Sequence, residues 1–338
     1  MNTHLPILLI GLLITINGFS QIKPSFFPED VHVVGEQDLK CFCKPGIVNK
    51  FRSKGLSLNY GINTGGGYEA AGNSLFMDTP SSLDRLNHLE FKIKIPILIK
   101  DRTRVLLGYQ YYSEFYQFDR IGLDYEAAFQ NLDNNNLKKN SYDLIISHSL
   151  DEDNYLGFRY SYSSNGNYDG WMDFAGKYAI HKLVGIYGFK KTDDFEWGIG
   201  LIISKSFRRT SALPFLLYNK NFSPKWGIES VFPANVFLRH NIDPSTIAAV
   251  GLEYGSQSFR LSVDDIIPQD YAFNHSELSL VWSIERHLTS WVWANIKLGL
   301  QRNFSSDFES KIADTASFFA EPKNGVMFQF GFFISPDL

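Results

Sequence analysis

The sequence predicts an all-β protein, an antiparallel transmembrane β-barrel of roughly 12 to 14 strands with short periplasmic turns and longer extracellular loops. Three observations lead there. Apolar residues alternate with polar ones in run after run, the period of a strand with one apolar face. Many runs are about 9 to 11 residues long, which suits a tilted strand crossing a bilayer and exceeds the usual strand of a soluble sheet. Short polar connectors also alternate with longer ones, as the two rims of such a barrel require.

At the N-terminus, "MNTHLPILLIGLLITINGFS" holds an apolar core from Leu5 to Ile16 that breaks at Asn17 and Gly18, too short for a membrane-spanning helix. Gly18 and Ser20 set small residues before Gln21, so residues 1–20 read as a signal peptide cleaved after Ser20, despite an n-region without Lys or Arg. Residues 21–54 then form an N-terminal periplasmic or lumen segment, and 55–338 the outer-membrane β-barrel. No later stretch has the roughly 20 apolar residues of a membrane helix, so an exported chain of this kind is either soluble or a barrel. A net charge of -4 argues against a nucleic-acid partner.

Strand by strand, the alternation is explicit. Leu56, Leu58, Tyr60 and Ile62 share one face. Leu89, Phe91, Ile93, Ile95, Ile97 and Ile99 then alternate against Glu90, Lys92, Lys94 and Pro96. The pattern returns at Val105–Tyr111, Tyr142–Ile146, Leu156–Tyr162, Trp197–Ile203, Leu278–Ile284, Val292–Leu300 and Val326–Ile334. Weaker strands fall at 176–190, 213–220, 225–232, 234–241 and 246–254. Charges such as Lys92 and Lys94 suit a lumen, whereas a lipid-facing charge costs about 2–4 kcal/mol at the bilayer midplane.

Short turns are expected at 100–103, 150–154, 191–194, 221–224, 241–245 and 285–290. Long loops are expected at 63–87, 114–140, 164–175, 255–275 and 302–324, with short connectors near 208–212 and 232–234. Aromatics make up 15% of the chain, and those at strand ends (Tyr109, Tyr111 and Tyr112; Trp291 and Trp293) read as interfacial belts.

The segments "KLVGIYGFKKTDDFEWGIGL" (182–201) and "LPFLLYNKNFSPKWGIESVFPANVFLRHNID" (213–243), with Pro214, the turn before Trp226, and Pro233, resemble the Bacteroidota outer-membrane β-barrel family of unknown function, domain of unknown function 6268. The resemblance runs from about residue 50 to the end. It implies a location and a fold, and no catalytic residue. The chain departs from many outer-membrane barrels by ending Ile334-Ser335-Pro336-Asp337-Leu338 rather than on an aromatic residue.

Candidate chemistry is sparse. Cys41 and Cys43 are the only cysteines. A single intervening residue would strain a disulfide, and His32 is a lone companion for a metal, so an incidental role is the main reading, with redox chemistry and metal binding as alternatives. "NLDNNNLKKN" (131–140) offers oxygens to Ca²⁺ but lacks a complete calcium-loop pattern and reads as a solvated loop. Gly65-Gly66-Gly67 is not followed by a helix pattern and makes a poor phosphate cradle.

"YSYSSNGNYDG" (160–170) resembles the strand motif of outer-membrane phospholipase A, with Ser164 where the nucleophile would stand and Tyr162 where that motif has its histidine base. A tyrosine with pKa near 10 is a poor base, so the segment reads as a strand end running into an exposed loop. His148 belongs to the opposite membrane edge.

No catalytic, cofactor or metal residue is assigned, and the chain is not expected to be an enzyme. Its expected role is passage of a small solute; the alternatives are loop-mediated surface binding or a structural role, and remotely lipid hydrolysis. Expected partners are outer-membrane lipids, the barrel-assembly machinery and the solute itself.

Overall fold

A computed structural model describes residues 42–64, 68–70, 81–122, 126–173, 176–207, 209–263, 269–310 and 317–335. The expected signal peptide, Cys41, His32 and Gly65-Gly66-Gly67 lie outside these residues.

Sixteen strands and one helix are described, in chain order. They are β1 (Leu56–Thr64), β2 (Tyr68–Ala70), β3 (Ser82–Ile99), β4 (Thr103–Arg120), α1 (Glu126–Asn134), β5 (Leu137–Ser149), β6 (Asn154–Gly166), β7 (Ala179–Thr192) and β8 (Phe195–Lys205). β9 (Thr210–Asn221), β10 (Trp226–Phe232), β11 (Asn235–Asp243), β12 (Thr246–Val263), β13 (Gln269–Thr289), β14 (Val292–Ser310), β15 (Phe318–Pro322) and β16 (Gly325–Ile334) complete the chain. Each strand from β3 to β14 pairs antiparallel with the next; β14 pairs with β16, β16 with β1, and β1 with β3. This circuit closes a 14-stranded barrel, which removes the sheet edge that a bilayer cannot tolerate. β2 and β15 pair with each other above one rim.

Alternation decides the two faces. Leu58, Ile95, Ile97, Leu107, Leu156, Phe158, Ile199, Leu201, Trp282, Ile284, Leu298 and Phe330 point outward and are exposed, although they are large and apolar. Such a belt is stable only against hydrocarbon, so the barrel is a transmembrane one. Their polar neighbours Ser57, Asn59, Glu90, Asp143, Ser161, Glu196, Asn219, Glu285 and Asn295 turn inward and are at least half-buried.

The expected short turns all sit at one rim, and the connectors at 206–209 and 233–234 are short, as the spacing suggested. The long loops are corrected. β4 continues to Arg120, β12 to Val263 and β14 to Ser310, and β13 begins at Gln269, so much of 114–140, 255–275 and 302–324 is barrel wall. The rims are therefore uneven: β12, β13 and β14 have 18, 21 and 19 residues, whereas β10 and β11 have 7 and 9. Above the short strands the tall wall meets itself, because Gly166 of β6 pairs with Arg260 of β12. A Cβ at Gly166 would stand 2.3 Å from the Arg260 carbonyl oxygen, so this close approach requires glycine. Asn165 and Asn167 reinforce the junction by donating to the carbonyls of Ser258 and Ser262 at 3.0 and 2.7 Å.

Two expected belt residues face inward instead. Tyr112 donates to the buried Glu114. Trp293 is 2% exposed and stacks on Phe333 inside the short-turn rim.

Candidate functional site

The lumen is lined by polar and charged side chains, and chain segments occupy both its ends. At the short-turn end, residues 42–54 form a strap that visits the hairpins in barrel order. The Arg102 guanidinium lies 4.0 Å from the Phe42 ring, and Cys43 N–H donates to the Asp151 carbonyl at 2.8 Å. Gly46 N–H donates to Glu196 at 2.7 Å, and Val48 N–H to the Asp193 carbonyl at 2.9 Å. Asn221 and Asn241 donate to the carbonyls of Val48 and Asn49. Phe51 N–H donates to Glu229 at 2.9 Å, Arg52 reaches the Pro244 carbonyl, and Lys54 pairs with Glu285 at 2.7 Å. The strap thus makes a full circuit, from the β3–β4 turn round to β1. Gly46 (φ 106°) and Asn49 (φ 57°) take the left-handed bends this path needs, a conformation open to these two residue types.

Cys43 belongs to this strap and is buried, with Ser149 Oγ donating to its carbonyl. Burial pushes its thiol up to about 12, which makes it a structural side chain rather than a reactive one.

At the other end α1 fills the mouth. Phe129 and Leu132 are fully buried, and Phe129 packs 5.6 Å from Phe118 of β4, 5.9 Å from Phe308 of β14 and 6.0 Å from Phe318 of β15. Three strands separate β4 from β14 in the barrel circuit, and the helix packs across that gap, with Asn131 donating to the Ser262 carbonyl of β12. The segment expected as a solvated Ca²⁺-offering loop is instead helix, turn and strand. Its oxygens are spent internally: Asp133 accepts from Phe118 N–H, and Asn131 Oδ1 from Asn167. Among the described residues, no group of three metal-ligating side chains occurs.

Against the inner side of the strap lie two adjoining cavities of about 360 and 350 Å³. Both are lined by Lys50, Phe51, Lys54, Glu229, Asn295 and Lys297. Glu253, Ser283 and Phe237 extend the first, and Glu90, Lys92 and Lys94 the second. Charge is segregated around this space. On β8–β14, each of five acids has a donor: Glu196 accepts from Tyr155 and Asn219, Glu229 from Arg239, Glu253 from Lys297, Glu277 from Gln301, and Glu285 from Lys54. On β3–β7 stand Lys92, Lys94, Lys139, Arg159 and Lys182 against three inward carboxylates, Glu90, Asp143 and Glu114, the last held near the α1 end by Tyr112, Tyr116 and His275.

The hydrolase segment is corrected as well. Ser164 belongs to β6, not to an exposed loop; it is 1% exposed under the 168–171 segment, with Tyr168 donating to its carbonyl. A histidine does stand next door, which the single-strand reading missed: His181 of β7 is the register partner of Tyr162. Its Nδ1 is hydrogen-bonded to Tyr160 at 2.8 Å, and Ser164 Oγ has no hydrogen-bond partner, so the two do not form a nucleophile–base pair. His148 pairs with Leu156 near the short-turn rim.

No protein-family model matches the sequence, and no curated protein does. Solved barrels do resemble the fold. A FadL homologue from Pseudomonas aeruginosa is 10% identical with a TM-score of 0.42, covering 83% of this chain and 89% of that one. An outer membrane channel from Pseudomonas putida F1 is 11% identical with a TM-score of 0.42, covering 88% and 99%. Outer membrane phospholipase A from Escherichia coli is 8% identical with a TM-score of 0.35, covering 85% and 99%. Each is a likeness of barrel architecture.

Proposed function

We propose that this chain is an outer-membrane barrel that passes a small solute, with the strap and α1 as the two obstacles that the solute path must bypass or displace. The observation that carries this reading is the pair of cavities lined by charged side chains inside an apolar-coated wall, bounded at the short-turn end by the strap, which is not itself part of that wall. A barrel serving only as a surface scaffold needs no charged interior, since an apolar filling would stabilise it as well.

Several expectations travel with this reading: membership of the Bacteroidota family named above, a signal peptide cleaved after Ser20, insertion by the barrel-assembly machinery, and contact with outer-membrane lipids. Passage is tested by swelling of lipid vesicles carrying the purified full chain in a small neutral sugar. Swelling above that of empty vesicles is expected. Folded barrels that leave the swelling rate unchanged would remove the channel reading.

A further inference from the structure

We infer that the β3–β7 wall of the lumen is an oxyanion-binding site, and that the solute it takes is a small molecule carrying a carboxylate or phosphate group. The inference rests on the channel reading for the transport step alone; binding is measured separately from transport.

Register builds the wall. Lys94 pairs with Gly108, Gly108 with Asp143, Asp143 with Ser161 and Ser161 with Lys182, so one row across five strands carries a lysine at each end. Two residues further from the short-turn rim, Lys92 leads a row through Gln110, Ser141 and Ser163. Beyond that, Glu90 leads a row through Tyr112, Lys139 and Asn165. Between the cations the rows carry mostly glycine, serine and amide side chains, which leave room in front of the ammonium groups or can donate hydrogen bonds, together with Tyr112 and with Asp143, whose carboxylate is held by Arg159 and Ser161.

The second observation is an imbalance of partners. Arg159 is held by Asp143 at 2.8 Å and Lys92 by Glu90 at 2.6 Å. Among the described residues, the side chains of Lys94, Lys139 and Lys182 make no hydrogen bond or ion pair; the charge of Arg159 acts on all three and that of Lys92 on Lys94 and Lys139, with Asp143 and Glu90 as the opposing charges. Across the lumen Glu229, Glu253 and Glu285 are ion-paired with Arg239, Lys297 and Lys54, and Glu196 and Glu277 are hydrogen-bonded to neutral donors, so each of these acids is already engaged elsewhere. Gathered like charges in a partly desolvated space are unfavourable unless a counter-charge joins them. The cavity of about 350 Å³ opens directly on Lys92 and Lys94, with Lys50 and Lys54 of the strap at its edge. A solute anion entering there meets Lys94, whose ammonium has no side-chain partner, beside the Glu90-paired Lys92, and carboxylates already engaged on the other side.

The test is calorimetric titration of the full chain in detergent micelles with succinate and with inorganic phosphate, using putrescine and sucrose as controls. Saturable anion binding that weakens with added salt is expected, with none for the controls. K94Q/K139Q/K182Q is expected to weaken binding at least about tenfold, and K94R/K139R/K182R to retain it. A shift in gel mobility on boiling establishes that each variant is folded; should the triple Gln variant fail, Lys182→Gln alone, at an exposed position, is expected to weaken binding about threefold. Absence of saturable anion binding, equal binding of putrescine, or undiminished binding by the Gln variants overturns the inference. Neutral-sugar flux without anion binding also overturns it while leaving the channel reading in place. Anion binding without any flux supports the site and removes the channel reading.

Discussion

Lys94 and Ile95 are adjacent in the chain and live in different solvents. Ile95 is exposed on the apolar belt, whereas Lys94 lines the charged cavity. The pleat makes this separation, and any outward position inherits its consequence. Ile199, 56% exposed on β8, is one such position. Ile199→Arg should destabilise the barrel in a bilayer by about 2–4 kcal/mol, measured by denaturant unfolding from vesicles. A fully buried ion is governed differently. Arg239 is 0% exposed and reaches Glu229 at 2.7 Å and Asn221 at 2.6 Å. Arg239→Ala strands Glu229 and should cost about 3–5 kcal/mol in the same measurement. At this scale alternation made the face of most strand residues readable. It misassigned Trp293, because aromatic position along a strand says nothing about which rim residues stack against a neighbouring strand and the Arg52 guanidinium.

Elements were legible where periodicity was strong and hidden where packing made them. The hairpins emerged from short polar turns. The helix did not, because "EAAFQNLDN" sits in a polar segment, and its apolar signal is confined to Ala128, Phe129 and Leu132. Nor did the strap: residues 42–54 have no repeating pattern, and their path is set by hydrogen bonds to turns distant in sequence. The lysine row was equally hidden, since Lys94 and Lys182 fall in one row only through the register of five strands. The strap makes two predictions. Cys43 should resist alkylation near pH 8 in the folded barrel and react readily after denaturation, read by mass spectrometry. Its value of about 12 lies above the ordinary 9.0, so folding favours the protonated thiol. That contribution is present below about pH 9 and is lost as pH climbs towards 12, so strap release and labelling should both rise in that window.

The whole molecule is a closed wall of uneven height whose two mouths are occupied by its own chain. Closure, the apolar belt and the short-turn rim were readable from the sequence, because a bilayer allows few other solutions. The junction of Gly166 with Arg260 was not, since it joins strands that are not neighbours in the barrel order. It ties the tall strands together above β7–β11 and leaves the strap as the obstacle at the short-turn mouth. The most direct measurement is single-channel recording in planar bilayers, comparing the full chain with a chain lacking 42–54 and with one in which a short Gly-Ser linker also replaces 121–136. The account predicts discrete conductance steps that grow as the strap, and then the helix, are removed. Barrels that shift on boiling, and so are folded, yet carry no current even with both segments gone would contradict it.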